Sequence, residues 1–535
     1  MDRLFSKRSQ FMMLCQEIAE NFYVERADFT VRREVGDEYA GNLMTSYPLQ
    51  CRRDLGDQLQ TMLRPTGKVW AHVGTVDSRR EDNDSKVWLE WASGVQRRAM
   101  YDRKALFEEA TSMADHDYAT FGQCVVSVRL ARTLDRMLYR NWHLRDVVWM
   151  DNDEGGLQLV ARKWCPTART LKQLFPKTVD AKIIRAAEKD PFAEYDCLHI
   201  ICEADMYDDQ ARGFPYWSIY YDCAHNKVLE VVPTWNIEYA IPRWKRVSGS
   251  QYAYSPATVI ALPDARLIQA MTLTLLEAGE VAVRPPMIGT QDAVRSDVAL
   301  YSGGMTWVDY EYDERLGEAL RPVPLKTDGI PLGIDMQRDA RAMIMQAFFL
   351  NKLSLPRPEH ASQMTAYETG QRIQEYIRGA LPLFAPMESE YNGQICDLTW
   401  DLLFRNGAFG SPHNMPRSLR GAEIQFRFES PLHDLIEQAK GQKWLEAKAI
   451  IADAVALDPS AAALMDAKIA LRDVLAGIGV PSKWVRNETT VRQIEDAQKA
   501  AQEAEQMLGA MTMGSEAAAN IAGAQKDMAA ADATA

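Results

Sequence analysis

Apolar residues recur every three or four positions along much of this chain, and the longest such stretch runs from Ile334 to Asn406. Met336, Ala340, Met343, Ile344, Ala347 and Phe348 share one face of a helix over Asp335–Leu353, with Arg338, Arg341 and Asn351 elsewhere on the wheel. Leu355-Pro356-Arg357-Pro358 ends that helix, because each ring removes an N–H and turns the preceding residue away from helical angles. A second helix starts at Thr365, with Glu368 at the spacing of a reciprocal N-terminal cap. Ile373, Ile377, Leu381, Phe384, Met387, Tyr391, Ile395, Leu398 and Leu402 carry its stripe onward, a rod of roughly 60 Å if unbroken. Gly379, Pro382 and Pro386 lie inside the pattern and predict a kink. Periodicity alone describes a helical hairpin with a bent second arm.

The rest of the chain alternates between the two periods. Residues 1–64 read mainly as helix and close on Leu63-Arg-Pro-Thr-Gly-Lys-Val-Trp70, a turn before an extended run. Trp88–Phe121 is helical in pattern, Cys124–Leu130 is a strand rich in β-branched residues, and Asp151–Gly156 is a turn before a strand over Leu157–Trp164. Thr167–Phe175 is a short helix, and Leu198–Cys202, Trp217–Tyr221, Val228–Val232 and Ile237–Ile241 are strands of a mostly antiparallel sheet. A helix follows in which Pro263 suits the first turn and Leu267, Met271, Leu275 and Ala278 form the buried stripe. Residues 288–333 are loops and short strands, Glu423–Phe428 alternates as an exposed edge strand would, and Leu432–Leu457, Ser460–Ala476 and Val491–Leu508 are helical. From Met511 the chain is dominated by Ala, Gly and Met without a stripe, which predicts a frayed tail. The whole is an α+β protein, mainly helical.

Composition refines this in a few places. A length of 535 residues exceeds one core and suggests three or four substructures. No unbroken run of about 18 apolar residues is present, so no bilayer span is expected. Neither is a secretory leader expected from the first eight residues. Eight cysteines without framework spacing read as reduced thiols. The net charge of −13 argues against a protein that grips nucleic acid, since phosphate binding is driven by Lys and Arg. It is compatible with a wall that lets a duplex slide past without deep binding wells.

Several stretches resemble the portal, or head-to-tail connector, proteins of short-tailed bacteriophages. Met364-Thr-Ala-Tyr-Glu368 opening a long kinked helix after a short polar loop is similar to that family's central element. Tyr252-Ala-Tyr-Ser-Pro256 with Ala261-Leu-Pro-Asp-Ala-Arg-Leu267 resembles its entrance to the first stem helix, with Ala253 where the family usually has glycine, and Arg284-Pro-Pro-Met287 resembles the exit. Gly479-Val-Pro-Ser-Lys-Trp-Val-Arg486 is similar to its crown segment. The resemblance implies a portal-type subunit: a wing over 1–250, first stem helix 251–287, clip 288–333, second stem helix 334–353, channel (tunnel) loop 354–364, kinked helix 365–407, return strand 408–429, helical crown 430–508 and tail 509–535. It further implies a homo-oligomeric ring, usually of about twelve copies, around an axial channel at one capsid vertex of the virion. Double-stranded DNA would pass through it during packaging and ejection. The large terminase subunit, tail adaptor or head-completion proteins, and the major capsid and scaffolding proteins would be its partners. No membrane, cofactor, metal or catalytic residue is implied; such a protein is a conduit and not an enzyme.

Within that reading the candidates for DNA contact are Arg357, Glu359 and His360 in the loop and Arg338, Arg341 and Lys352 on the stem. Arg338 and Arg341 are three apart and neighbours on one helical face, so a surface salt-bridge face is the plainer reading for them. No phosphate-binding Gly-x-x-x-x-Gly-Lys-Ser/Thr loop, His-Glu-x-x-His or Cys-x-x-Cys occurs. Cys197-Leu-His199-Ile-Ile-Cys202 is the nearest approach to a metal set, but strand alternation sends Cys202 to the face opposite Cys197 and His199, which leaves buried thiols. Glu203, Asp205, Asp208 and Asp209 define one alternative function, a metal-dependent nuclease or hydrolase, against the reading of a solvated loop. A helical scaffold without a DNA path is the other. Trp70, Trp88, Trp91, Trp142, Trp149 and Trp164 lack the basic interleaving of a base-stacking surface and read as core and intersubunit packing.

Overall fold

The computed structural model describes residues 1–34, 36–37, 41, 43–65, 67–77, 81–208, 213–289, 320–322, 329–353, 379, 386–429, 444, 447–451, 470–472, 474–475, 480, 482–486 and 490–504. The chain divides into two compact units, where its length suggested three or four substructures. Met1–Trp70, Gln96–Ala408 and Phe428–Leu432 form the first, and Ala71–Val95, Phe409–Arg427 and His433–Ala535 the second.

Three helices come first, α1 (Asp2–Lys7), α2 (Ser9–Phe22) and α3 (Tyr47–Leu63), then strand β1 (Ala71–Thr75) and helices α4 (Asn83–Met100) and α5 (Phe107–Phe121). The helix expected over Trp88–Phe121 is therefore two helices. Leu106 between them takes a left-handed φ of 58°, which no continuing helix tolerates. In the first unit, α2, α3 and α5 pack through Cys15, Ile18, Phe22, Leu55, Leu59, Ala114 and Tyr118, all buried.

The strand-forming part folds as two antiparallel sheets. β2 (Val125–Leu130) and β3 (Met137–Trp142) make a hairpin. β4 (Val147–Asp151), β5 (Leu157–Trp164), β6 (Cys197–Glu203), β7 (Tyr216–Asp222) and β8 (Lys227–Thr234) then run up and down as neighbours in one five-stranded sheet. The strand expected at Ile237–Ile241 is only β9 (Tyr239–Ala240), and it joins β2 in the smaller sheet. Helices α6 (Ala168–Leu174) and α7 (Ala181–Lys189) cover one face of the large sheet, where Leu171, Phe175, Ile183, Cys197 and Leu229 pack together. Leu4 and Phe5 of α1 cover the other face over Val148, Leu159, Ala161, Cys202 and Ile219. Arg8 fastens that helix: its guanidinium donates to the carbonyls of Leu144 and Val147, each at 2.6 Å, and to that of Arg145.

After a short ladder of β10 (Lys245–Arg246) and β11 (Ala253–Tyr254) comes α8 (Pro256–Val283), the longest described helix. It begins seven residues before the proline expected to start it. Ser255 is the cap, its hydroxyl accepting from Thr258 N–H, and Pro256 takes the first-turn position. Pro263 lies inside the helix and is exposed, as is Val259, so water can satisfy the carbonyl that the ring leaves without a donor. The buried stripe is also displaced. Ala257, Ala261, Leu262, Ala265 and Ile268 are buried, Met271, Leu275 and Ala278 are half-buried, and Leu267 is 42% exposed.

α8 corrects a second expectation. By length and composition it is apolar enough to cross a bilayer, because its few charges are spaced out and an unbroken apolar run is not needed. Only 22% of its most apolar window is buried. That property describes the helix and does not place it in a membrane.

β12 (Met287–Gly289) pairs antiparallel with β13 (Leu320–Pro322). α9 (Gly329–Ala347) starts six residues before the expected Asp335, and Phe349 at φ 58° separates it from α10 (Leu350–Leu353). Ala340, Ile344, Ala347 and Phe348 are buried as expected, but Met336 and Met343 from the same stripe are exposed. Glu388–Asn392 then forms a π turn that leads into α11 (Gly393–Arg405).

In the second unit β1 pairs with β14 (Ile424–Phe428), the strand expected at Glu423–Phe428. Ser93 accepts from Val73 N–H at 2.9 Å, Arg427 and Glu81 form an ion pair at 3.0 Å, and Trp88 and Trp91 pack on Phe409. A helical stretch covers 490–504, while most of the expected crown and all of the tail lie outside the described residues.

Candidate functional site

The expected stem and channel elements centre on α8 and α9. The two helices pack side by side, with Gln337 Nε2 donating to Thr272 Oγ1 at 2.8 Å and Leu275 lying against Gly333. Gln269 ties α8 to the N-terminal segment, accepting from the N–H groups of Met44 and Thr45 at 2.7 and 3.0 Å and donating to the Thr45 carbonyl at 3.0 Å. Arg266 forms an ion pair with Glu17 of α2, and Phe348 packs on Phe22 at 5.4 Å between ring centroids. Among the described residues Leu273, Leu276 and Val283 are exposed along one face of α8 and Leu332, Met336 and Met343 along one face of α9, while Ile260 and Ile334 are exposed on other faces of the same helices.

The proposed DNA-contacting residues are divided by this geometry. Arg338 is 79% exposed beside Asp335 at 3.7 Å, the salt-bridge face that the spacing allowed. Arg341 instead holds its guanidinium 5.5 Å over the Tyr47 ring. The two are therefore not one basic patch. Lys352 belongs to α10, whereas Arg357, Glu359 and His360 lie outside the described residues. Of the kink positions, Gly379 is helical and exposed, Pro386 leads into the π turn, and Pro382 lies outside the described residues.

What the sequence did not disclose is a buried ionic core along α5. Asp115, His116 and Asp117 follow one another on a helix whose neighbours are alanine and tyrosine, and three arginines meet them. Arg64 forms an ion pair with Asp115, donates to Asn392 Oδ1 at 2.7 Å, and lies 4.8 Å over the Tyr391 ring. Burial opposes charge on Arg64, but the Asp115 carboxylate overcomes it and raises the guanidinium above its ordinary value. Arg26 donates to both oxygens of Asp117, at 3.1 and 2.7 Å, and Asn141 adds a third bond at 2.6 Å. Arg52 donates to the Phe22 carbonyl at 3.1 Å and stands 3.2 Å from His116 Nδ1. An arginine can only donate, so Nδ1 is the acceptor and Nε2 carries the proton, facing Asp57 at 3.5 Å. Asp115 and Asp117 are each held by an arginine, and Arg52 is held by the Phe22 carbonyl, the His116 ring and the face of Tyr23, so the chemistry of the arrangement is that of a clamp.

A second buried network joins the two sheets. Arg162 donates to Tyr239 Oη at 3.1 Å, so the tyrosine proton is directed to His199 Nδ1 at 2.9 Å, and His199 Nε2–H donates to Ser218 Oγ at 3.0 Å. His199 stacks on Tyr220 with centroids 4.2 Å apart, and Arg162 covers Trp142. Burial, then Arg162, lowers the His199 pKa well below its usual value, and burial followed by Arg52 lowers that of His116. Both rings are thus neutral when folded and protonate more readily when unfolded. Their contribution is complete above the unfolded pKa of about 6.5 and is lost as pH falls below it. Thermal melts at pH 7.5 and 5.5 should show the wild-type chain losing several degrees more than His199→Gln over the same interval; equal losses would remove His199 as a source.

The metal-site alternative finds little here. Cys197 and Cys202 are buried on opposite faces of the large sheet, and all eight cysteines are free thiols. Glu203 accepts from Asn152 at 3.2 Å, Asp209 lies outside the described residues, and no group of three or more potential ligands gathers among the described residues. Trp149 and Trp70 are core residues, and Trp142 and Trp164 lie under or against other side chains.

Comparison with known proteins agrees with the sequence reading. The chain is 22% identical over 462 residues to a probable portal protein of Bordetella phage BPP-1, covering 80% of this chain and 77% of that protein. It is 20% identical over 392 residues to the portal protein of Salmonella phage epsilon15, covering 71% and 68% respectively. Among solved structures, chains from the virion of a native gene transfer agent and from the neck of an empty gene transfer agent particle each share 10% identity, cover 81% of this chain and 95% of their own length, and give TM-scores of 0.36 and 0.38. Scores at that level add nothing to the fold described above. The family of bacteriophage head to tail connecting proteins matches residues 1–485, nearly the whole chain, and this chain belongs to it.

Proposed function

We propose that this chain is the portal subunit of a tailed bacteriophage, whose copies close a ring of about twelve around the axial hole at one capsid vertex. The family match over residues 1–485 carries the reading. The physical feature that supports ring closure is the uncovered apolar side of α8 and α9. Fully burying a leucine- or valine-sized side chain contributes about 1.5–3 kcal/mol, and Leu273, Leu276, Val283, Leu332, Met336 and Met343 all lie exposed on this pair. A neighbouring copy that covers them would gain most of that.

In the ring, α8 and α9 are the stem, the residues between them the clip and residues 354–364 the loop that meets the duplex. Arg338, Arg341, Lys352, Arg357, Glu359 and His360 are then the candidates to touch passing DNA. The large terminase subunit docks during packaging, and tail adaptor or head-completion proteins replace it. Capsid and scaffolding proteins surround the wing. A separate ATPase supplies the work, while this protein is conduit and platform.

Class-averaged electron images of purified protein test the core of the proposal, an annulus with an axial hole being expected and a monomer under all assembly conditions overturning it. The exposed apolar side provides a sharper test. Leu273→Asp with Leu276→Asp should leave monomer stability within about 0.5 kcal/mol per site and abolish annular particles, because both positions already face solvent in the single chain. Rings of unchanged yield would show that this side is not the interface.

A further inference from the structure

We infer that the π turn Glu388–Asn392 is a latched hinge at the N-terminal end of α11, held shut by Arg64 and Asn392 and able to open while α11 stays folded. A π turn carries one residue more than an α turn, and Gly393 N–H accordingly donates to the Glu388 carbonyl five residues back. Such turns are uncommon, because the wider turn forfeits backbone contact, and they persist where side chains compensate.

Here the compensation is polar and comes from two sides. Asn392 is bound at both ends of its amide, accepting from Arg64 at 2.7 Å and donating to the Leu63 carbonyl at 3.0 Å. This fixes the turn to the last residues of α3, and the Arg64–Asp115 ion pair fixes it to α5. On the other side Glu390 lies 3.9 Å from Arg243, which donates to Asp151 and to the Gln251 carbonyl. α11 is anchored along its whole length: Ile395, Cys396, Trp400 and Leu403 are buried, Gln96 donates to the Cys396 carbonyl at 3.1 Å, Thr399 Oγ1 pairs with Tyr139 Oη at 2.8 Å, and Asn236 donates to Asp401 at 2.9 Å. None of those anchors of α11 involves Arg64 or Arg243, so the bonds that latch the turn can break while the helix keeps its own. The turn and the helix after it therefore have separate opening events.

The phase of the helix bears on the same point. Met387, Tyr391 and Ile395 are buried on the stripe that the sequence predicts, through the turn and into α11; farther on Thr399 and Leu403 are buried and Leu398 and Leu402 are half-buried. Opening the turn would therefore free residues 388–392 while the continuous buried stripe of α11 stays in place.

Native-state hydrogen exchange of the full-length chain in low denaturant tests this without any substitution. Amides 389–393 should exchange by a local opening that is insensitive to denaturant, while amides 396–404 exchange only with steep denaturant dependence. Matching dependence in both segments would overturn the inference. In the variant Asn392→Ala, exchange at 389–393 should rise at least tenfold with 396–404 changed less than twofold; an unchanged turn, or equal acceleration of both segments, would likewise overturn it. Should that variant fail to fold, the wild-type profile still decides.

Discussion

Replacing Gly122 with alanine should leave almost no folded protein. Gly122 ends α5 in the left-handed region, at φ 73°, where an L side chain costs about 1–2 kcal/mol before any contact is considered. A Cβ at this position would also overlap the backbone of Tyr254 and Ser255, which cannot turn aside as a side chain could. The overlap arises because the end of α5 is the dock for the start of α8. Ser255 Oγ donates to the Ala119 carbonyl at 2.6 Å and Thr258 Oγ1 to the Thr120 carbonyl at 2.7 Å, so that the cap of one helix satisfies the last carbonyls of the other. Gly122 itself accepts from Trp244 N–H at 2.8 Å. Steric exclusion and loss of the dock together place the expected cost above about 4 kcal/mol, at the extreme of single substitutions. Soluble yield and thermal melting measure it; a variant melting within a few degrees of wild type would contradict the geometry.

The second large effect lies in the ionic core. Arg64→Leu should destabilise the chain by about 3–5 kcal/mol, because it strands the Asp115 carboxylate in a buried site and deprives Asn392 of its donor. Removing both charges, as in Arg64→Leu with Asp115→Leu, should recover at least half of that loss. Denaturant titrations of the four chains form the double-mutant cycle. If the double variant is no better than Arg64→Leu alone, the pair does not act as a unit.

How far the sequence foretold this molecule depends on the kind of interaction involved. Alternating β-branched residues announced β2, β5, β6, β7 and β8 closely, since the period of a half-buried strand is carried by the strand itself. They did not say that β9 would leave its neighbours to join β2, which is decided by tertiary pairing. Helix existence was equally legible, and helix faces were less so. Met336, Met343 and Leu267 are apolar at helical spacing yet exposed, and a stripe left facing outward looks the same in sequence as one that packs within the chain. Met387, Tyr391 and Ile395 are buried as their spacing foretold, whereas Leu398 and Leu402 are half-buried and Thr399 and Leu403 buried, since which flank of a stripe goes inward is set by the neighbouring elements. Pro263 was read as a helix start, although Ser255-Pro256 is the better cap and proline pair.

The ionic core was hidden by distance along the chain. Arg64 and Asn392 are 328 positions apart, and nothing local marks either as a partner of the other. One signal was available: Asp115 and Asp117 stand in a helix otherwise made largely of alanine, tyrosine, threonine and phenylalanine, so that at least one carboxylate had to enter the core and find a cation there. Of the candidate channel residues, Arg338 and Arg341 could be compared with their surroundings, and equal spacing on a helix did not give them equal environments.

The greasy flank of α8 and α9 has a bearing on the life of the newly made chain. On the ring assembly proposed above, a copy that has folded but not yet met others carries exposed apolar faces into a crowded cell, so its solubility is limited by waiting time as much as by fold strength. Synthesis at a rate that keeps copies scarce, or a temporary cover for those faces, then decides how many reach their place before they clump.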